Sequence, residues 1–443
     1  MVTPAPAPQK HAAKYSAQYA EPLASALSNA FQPSAQRYSH TLVIPAYNES
    51  TAFIRQLMQQ HFTRCSRLLV CLVINQPANK HASITRLNQR LFDFFKCDKQ
   101  GFICTPVNNT HQLAMSTHRH IDFLCINSCQ PGVNPKQGVG YARKLGCDVA
   151  LSLMQRNIIQ TGWLHCTDAD ATLPSTYFET PRIDENISAL TYAIDHQFLP
   201  KAQGFYQKQT QQANKLYEAS ILYYRDGLAA SGSPYAFNTI GSAIAANPKH
   251  YSQVRGFPKR AAGEDFYLLN KLAKLAPVFE LTHTITLKPR ASQRVPFGTG
   301  PAVKQLLNNV AFLDYNPKVF ECLKIALACL PGLYERLDSI GNNNHKNSSN
   351  HKDSTALLPQ GALHSATEHA LKSIGIEQLL THLSKQAKSP AQALRMSHEW
   401  FDGFKTLKFI HALSYGPYPK LELEHLPYNA DQRSIIQTPS SSL

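Results

Sequence analysis

The chain has 443 residues, of which 43% are hydrophobic and 16% charged, and it carries a formal net charge of +15. Such a length allows two to three domains, or one large domain with additions, and the apolar content fits a soluble, core-forming protein. The positive excess invites an anionic partner (nucleic acid, membrane surface or phosphorylated substrate), but no Lys/Arg run exceeds two, as at Arg143-Lys144 and Lys259-Arg260, so there is no basic arm of the kind that tracks a phosphate backbone.

Residues 1–37 are rich in Ala, Pro and Gln and read as a low-complexity leader. They lack a basic start followed by an apolar stretch, so no secretory signal is expected. Beyond them "TLVIPAY" (41–47) is a short continuous apolar run, the pattern of a strand buried on both faces. Similar runs follow at 67–75, 121–127, 162–170 and 187–194. Between the third and fourth, residues 138–157 place Ala142, Leu145, Gly146, Val149, Ala150 and Leu153 on one helical stripe. Strand and helix alternating over the first 200 residues or so predict an α/β fold, with a mostly parallel, Rossmann-like sheet covered by helices on both faces.

Further along, 202–228 reads as a long helix, 235–247 as a strand, "GEDFYLLNKLAKL" from Gly263 as a helix, and 277–290 as a strand followed by the loop "ASQRVPFGTGP". The expected organisation is a leader (1–37), a catalytic α/β domain (38–340), a flexible linker (341–358) and a C-terminal helical region (359–443). Ten cysteines without a CxxC pair read as reduced thiols. No stretch of 18 apolar residues occurs, which argues against an ordinary membrane-spanning helix. The expected location is the cytoplasm, with room for peripheral contact at the inner face of the membrane.

The segment "GWLHCTDADATLP" (162–174) ends a strand in two carboxylates, Asp168 and Asp170. Open α/β sheets bind ligands at the carboxyl ends of their strands. Alternate residues of an extended segment share a direction, so both acids could face one point and hold Mn2+ or Mg2+, which take carboxylate and phosphate oxygens. Asp and Asn are also common turn residues, and a surface turn is the competing reading.

Several segments together resemble the family 2 glycosyltransferases of the GT-A fold, over about residues 38–300. "VIPAYNE" (43–49) is similar to that family's first-strand signature, and "GVGYARKLGCDVAL" (138–151) to its Ala-Arg-Asn-x-Gly helix, with Lys144 where Asn is usual. "DAD" resembles the metal motif, "GSAIAANPKHYSQVRGF" (241–257) the acceptor-side strand and turn, and "GEDFYLLNKL" (263–272) the Glu-Asp helix start. The resemblance implies an inverting, metal-dependent transfer of one sugar from a nucleotide-sugar donor to a hydroxyl acceptor that is a saccharide, lipid-linked or a small molecule. It implies that Pro45, Tyr47 and Glu49 line the nucleotide pocket. Asp168 and Asp170 would address the ribose and, through the metal, the diphosphate. Asp265 would be the catalytic base, and Glu264 would fix its surroundings. A carboxylate at a helix start is expected to be stabilised as an anion by the backbone N–H groups there.

Arg294, in a Pro- and Gly-bearing loop, is the candidate for the leaving diphosphate, and Arg143 a second donor contact or a solvent-facing residue. His283 is a further candidate metal ligand, although a lone strand histidine is more often structural. Val295 stands where many members carry Trp, which argues against transfer to a long polymer. Asn75 stands where the family's second strand commonly ends in an acid that reads uracil; an amide can pair with a base edge but brings no charge. Residues 97–120 look like an insertion at the sheet's rim. A nucleotidyltransferase would want a Gly-rich phosphate loop after the first strand, and "PAYNES" has none. The alternative of another class is a catalytically inactive, GT-A-like basic protein binding RNA or anionic lipid; for the enzyme reading no nucleic-acid partner is expected.

Overall fold

A computed structural model describes residues 10–31, 37–78, 80–96, 101–108, 111–117, 120–160, 162–182, 184, 186–197, 205–291, 298–308, 311–335, 337 and 361–428. Among the described residues, ten strands form one sheet. In chain order they are β1 (His40–Ala46), β2 (Leu68–Pro77), β3 (Phe102–Asn108), β4 (His111–Ser116), β5 (Ile121–Val133), β6 (Leu164–Cys166), β7 (Ala171–Thr172), β8 (Ala189–His196), β9 (Ile244–Ala246) and β10 (Val278–Leu287). Their order across the sheet is β3-β4-β5-β2-β1-β6-β9-β8-β10-β7.

The central strands β5, β2, β1 and β6 run parallel, and β8 runs parallel to β10. The expected mostly parallel sheet therefore holds at the centre, but β9 lies antiparallel to both β6 and β8. The run 235–247 yields three strand residues, since residues 241–243 turn before Ile244 enters the sheet. Within the run expected as an insertion, β3 and β4 pair antiparallel to each other and β4 to β5, so they extend the sheet at its edge.

The continuous apolar runs are explained by cover on both faces. Leu42, Ile44, Leu72 and Ile74 join a core with Ile54 and Leu57 of helix Ala52–Gln59 and Leu91 and Phe92 of helix Ala82–Asp93. Val43 and Val73 point the other way, where a Cβ built on Gly146 of helix Gly138–Gln155 would strike them. A strand alternates faces with period two, so helices are needed on each side.

The leader reading is corrected by the structure. Residues Lys10–Gln18 and Pro22–Ala30 are helices, here α1 and α2; the two helices on the first sheet face are α3 and α4, and Gly138–Gln155 is α5. Every residue of α5 from Ala142 to Ala150 is buried, including Arg143, Lys144 and Asp148. The cause is this second layer: Tyr15 donates to Asp148 at 2.5 Å, Lys144 pairs with Asp148 at 3.0 Å and donates to Tyr15 at 2.6 Å, and the Glu21 amide donates to Asp148 at 2.9 Å.

After β8 come α6 (Phe205–Ala230), α7 (Pro248–Gln253), α8 (Glu264–Leu272) and α9 (Thr299–Leu307). The chain divides into two compact units: residues 1–214 with 237–304, and residues 215–236 with 305–443. This division differs from the sequence boundaries, which kept 38–340 together. The second unit is helical, with α10 (Lys318–Cys329), α11 (Ala362–Ser373), α12 (Ile376–Gln386), α13 (Pro390–Trp400), α14 (Gly403–Ser414) and a two-stranded pair of Leu313–Asp314 with Leu421–Glu422. Phe320, Leu323, Leu371, Leu379 and Phe409 lie in its core. The linker 341–358 lies outside the described residues. Among those described, no helix is long and apolar enough to cross a membrane.

Candidate functional site

The carboxyl ends of β1, β6 and β10 and the first turn of α8 bring the acidic residues together. After Cys166 the chain does not stay extended: Ala171 N–H donates to Asp168 C=O at 3.2 Å, which closes a turn over Asp168–Ala171. The acid pair is thus both a turn and part of the site. The two acids sit in a turn rather than in an extended segment, and the charges of both act on Arg290. Asp168 accepts from Arg143 at 2.7 Å, whereas Asp170 pairs with Arg290 at 2.5 Å.

Arg143 is the internal hub. Its Nε donates to Glu264 at 2.9 Å, Nη1 to the Gly241 carbonyl at 2.7 Å and to the Cys166 thiol at 3.2 Å, and Nη2 to Asp168. Its side chain is 3% exposed. Both sequence readings of Arg143, donor contact and solvent-facing residue, are therefore replaced: the guanidinium is enclosed and occupied by protein groups. Gly241 explains how it fits, because a Cβ there would collide with the guanidinium. Gly263, at φ 70°, takes a left-handed conformation that starts α8 and presents Glu264 and Asp265 in its first turn.

Glu264 is buried against Arg143, and burial pushes its carboxyl up while Arg143 opposes the shift. Asp265 is partly buried and accepts from the Phe266 amide at 2.7 Å. Burial first and the neighbouring Glu264 second push its pKa up to about 7, and Arg143 and the amide only partly counter them. The expectation that the helix start would hold this acid firmly as an anion is corrected: desolvation and like charge outweigh the N–H groups.

Arg290 was not among the sequence candidates. β7 pairs antiparallel with the end of β10, Ala171 opposite Leu287, and the Lys288 amide donates to Asp170 C=O at 3.2 Å. That pairing carries Arg290 to Asp170 and also to Glu49, which it meets at 2.8 Å. Its position just past the carboxyl end of a strand parallel to β8 was the available signal. Arg294 lies outside the described residues. Tyr47 is half-buried just beyond β1, Pro45 is buried inside it opposite Val73, and Asn75 is 5% exposed within β2. His283 sits at the register break of β10 between Leu281 and Thr284.

Among the described residues, no group of three or more His, Cys, Asp or Glu side chains is placed to hold a metal ion. Among the described residues, Glu49, Asp168, Asp170, Glu264 and Asp265 gather around Arg143 and Arg290. One arginine does not exhaust a carboxylate, which offers two oxygens and about four lone-pair sites. Two such acids fit a hard cation that brings its remaining oxygen ligands with a substrate.

Beside the start of α5 a cavity of about 320 Å³ is lined by His111, Asn127, Ser128, Gln137 and Tyr141 and by Leu23 of α2. β4 and the leader thus both contribute walls to an open space, which composition alone did not reveal.

No protein-family model matches this chain, and no curated protein matches it. Among solved structures it is similar to a mannosyltransferase from Pyrobaculum calidifontis, PcManGT, in complex with GDP-Man and Mn2+. That match covers 92% of this chain and 98% of the other, at 13% identity and a TM-score of 0.32. A likeness so slight decides neither fold nor function.

Proposed function

We propose that the chain is a glycosyltransferase of family 2 type with a GT-A fold, which moves one sugar from a nucleotide-sugar donor to a hydroxyl acceptor with inversion. The observation that carries the reading is the bridge through Arg143, which ties Asp168 to Glu264 and so holds the "DAD" turn beside the "GED" helix start. Motifs far apart in sequence meet through one buried side chain, as a two-part site requires.

Asp265 takes the proton from the acceptor hydroxyl as that oxygen attacks the sugar. A carboxylate with a pKa near 7 is well matched to general-base work at neutral pH. Glu264, held by Arg143, keeps Asp265 in place and raises its basicity through like charge. Arg290 is half-exposed at the cluster's rim, and its planar fork suits the leaving diphosphate once it releases Glu49 or Asp170. Tyr47, Glu49 and Asp168 stay in the proposed donor pocket; Arg294 stays a candidate for the same leaving group. Asp168 and Asp170 would hold a divalent ion, Mn2+ or Mg2+. When bound, such an ion adds positive charge against the leaving diphosphate.

The test is thermal shift across uridine, guanosine and adenosine diphosphate sugars, each with and without manganese, followed by turnover of the stabilising donor. No stabilisation by any of these donors, with or without the metal, would sink the reading.

A further inference from the structure

We propose that the cavity at the carboxyl end of β5 is a binding site for a neutral saccharide, separate from the acid cluster and independent of the glycosyl-transfer reading. It measures about 320 Å³, near the lower end of the roughly 300–1,000 Å³ that small-molecule sites span, which leaves room for a mono- or disaccharide. None of its lining residues belongs to the acid cluster, and all of them lie in the first unit. The carboxyl end of a strand in an open α/β sheet is where such folds take ligands.

The walls are fixed by the fold itself. His111 is 4% exposed, and the Asn127 backbone N–H donates to its Nδ1 at 3.2 Å, so that nitrogen carries no proton. The Asn127 side-chain oxygen accepts from the Cys129 N–H, and the Asn134 side-chain oxygen from the Lys136 N–H, each at 3.0 Å. These bonds set the orientation of both amides and leave their NH2 groups as donors. Gly132 at φ 96° and Gly138 at φ 39° bring the chain so close to Ala78 and Ala261 that a Cβ would lie 2.6 or 2.7 Å from a backbone Cα. The cavity is thereby anchored to the segments after β2 and before α8.

The lining chemistry selects the ligand. Gln137 precedes α5 without capping it, so its side-chain amide is not spent on the helix, and Ser128 and Tyr141 add hydroxyls. Amides and hydroxyls together donate and accept, as the hydroxyls of a sugar do, and the Tyr141 ring offers a face to the C–H side of a pyranose. A phosphate or a nucleotide fits less well, because no Lys or Arg lines the cavity and the Gly140 N–H at the start of α5 already donates to the Arg260 carbonyl at 2.9 Å. An apolar molecule would strip water from the amides and leave them unpaired.

The experiment uses the full chain with no nucleotide-sugar present, so its outcome does not depend on transfer. Glucose, galactose, mannose, N-acetylglucosamine, maltose and lactose are titrated beside inorganic phosphate, uridine and guanosine, with binding read by saturation-transfer NMR. At least one sugar should bind saturably. Tyr141→Phe and Gln137→Leu should each weaken that binding roughly three- to tenfold, the net worth of one hydrogen bond. Both changes keep most of the side-chain shape, and circular dichroism checks that each variant is folded. The control Gln305→Leu, the same kind of change at an exposed position outside the cavity, should keep wild-type affinity. No sugar bound, the same affinity in all four proteins, or binding of phosphate or nucleoside in place of sugar would overturn the site.

Discussion

Arg290 Nη2 lies 2.5 Å from Asp170 Oδ2, and the same guanidinium reaches Glu49 at 2.8 Å. One arginine thus holds two of the acids proposed to meet the donor. A donor diphosphate would compete for that guanidinium, and a divalent ion would compete for Asp170. Asp170→Ala is therefore expected to abolish manganese-dependent donor binding, and Arg290→Gln to weaken donor binding with or without metal. Titration of each variant with the donor, in manganese and in chelator, separates the two roles. Identical donor affinity of wild type with and without the metal would refute the metal's part while leaving that of Arg290 standing.

Asp265→Asn should keep donor binding and lose transfer by about 10²- to 10⁴-fold, the usual worth of a positioned base. In wild type, turnover should rise with pH through about 7, because the base acts when ionised. Stability moves the other way. The folded pKa is raised from the ordinary 3.8, so this group's favourable contribution is complete below about 4 and is lost as pH rises through 7. Melting curves from pH 4 to 8 should therefore show the variant gaining on wild type as pH rises. A constant difference across that range, or unchanged turnover, would count against the assignment.

Much of the α/β unit was legible because buried strands and helix stripes write themselves in period two and period 3.6. β1, β2, β5 and α5 fall close to their expected places. The acid pair and the Glu-Asp helix start were legible as candidates too. Arg143 was found and misjudged, since its charge says nothing of the Glu264, Asp168 and Gly241 carbonyl groups that gather around it. Arg290 was missed because its partner depends on the two-residue pairing of β7 with β10, too short to leave a pattern. The leader was missed because α1 and α2 are short and poor in large apolar residues. Their fit rests on Tyr15 and its buried polar network, together with the short stripe of Ala24, Leu27 and Phe31 along α2 and its C-cap.

That network yields its own expectation. Asp148 is fully buried and accepts from Tyr15, Tyr251 and the Glu21 amide besides pairing with Lys144. Tyr15→Phe removes one donor from a buried carboxylate and should cost about 1–3 kcal/mol. Deleting residues 1–30 uncovers Lys144 and Asp148 together and should lower the melting temperature further. Denaturant unfolding of both proteins measures this. A truncated chain as stable as the full one would show that α1 and α2 are dispensable.

Arg143 gives the sharpest division between holding the site and acting in it. Arg143→Met keeps much of the side-chain volume but strands Glu264, which is 4% exposed, without its cation. Breaking a buried ion pair from one side typically costs about 3–5 kcal/mol, and the variant should unfold at correspondingly lower denaturant. The paired variant Arg143→Met with Glu264→Gln removes the stranded charge and should recover part of that loss. Neither should recover transfer, because Asp168 and Glu264 would no longer share a fixed partner, and in the paired variant Asp265 also loses the charged neighbour that raises its pKa. Gly241→Ala approaches the same hub from the backbone: its Cβ would push the guanidinium aside while every charge stays in place. If Gly241→Ala folds normally and transfers at the wild-type rate, the position of Arg143 does not set the geometry of the site.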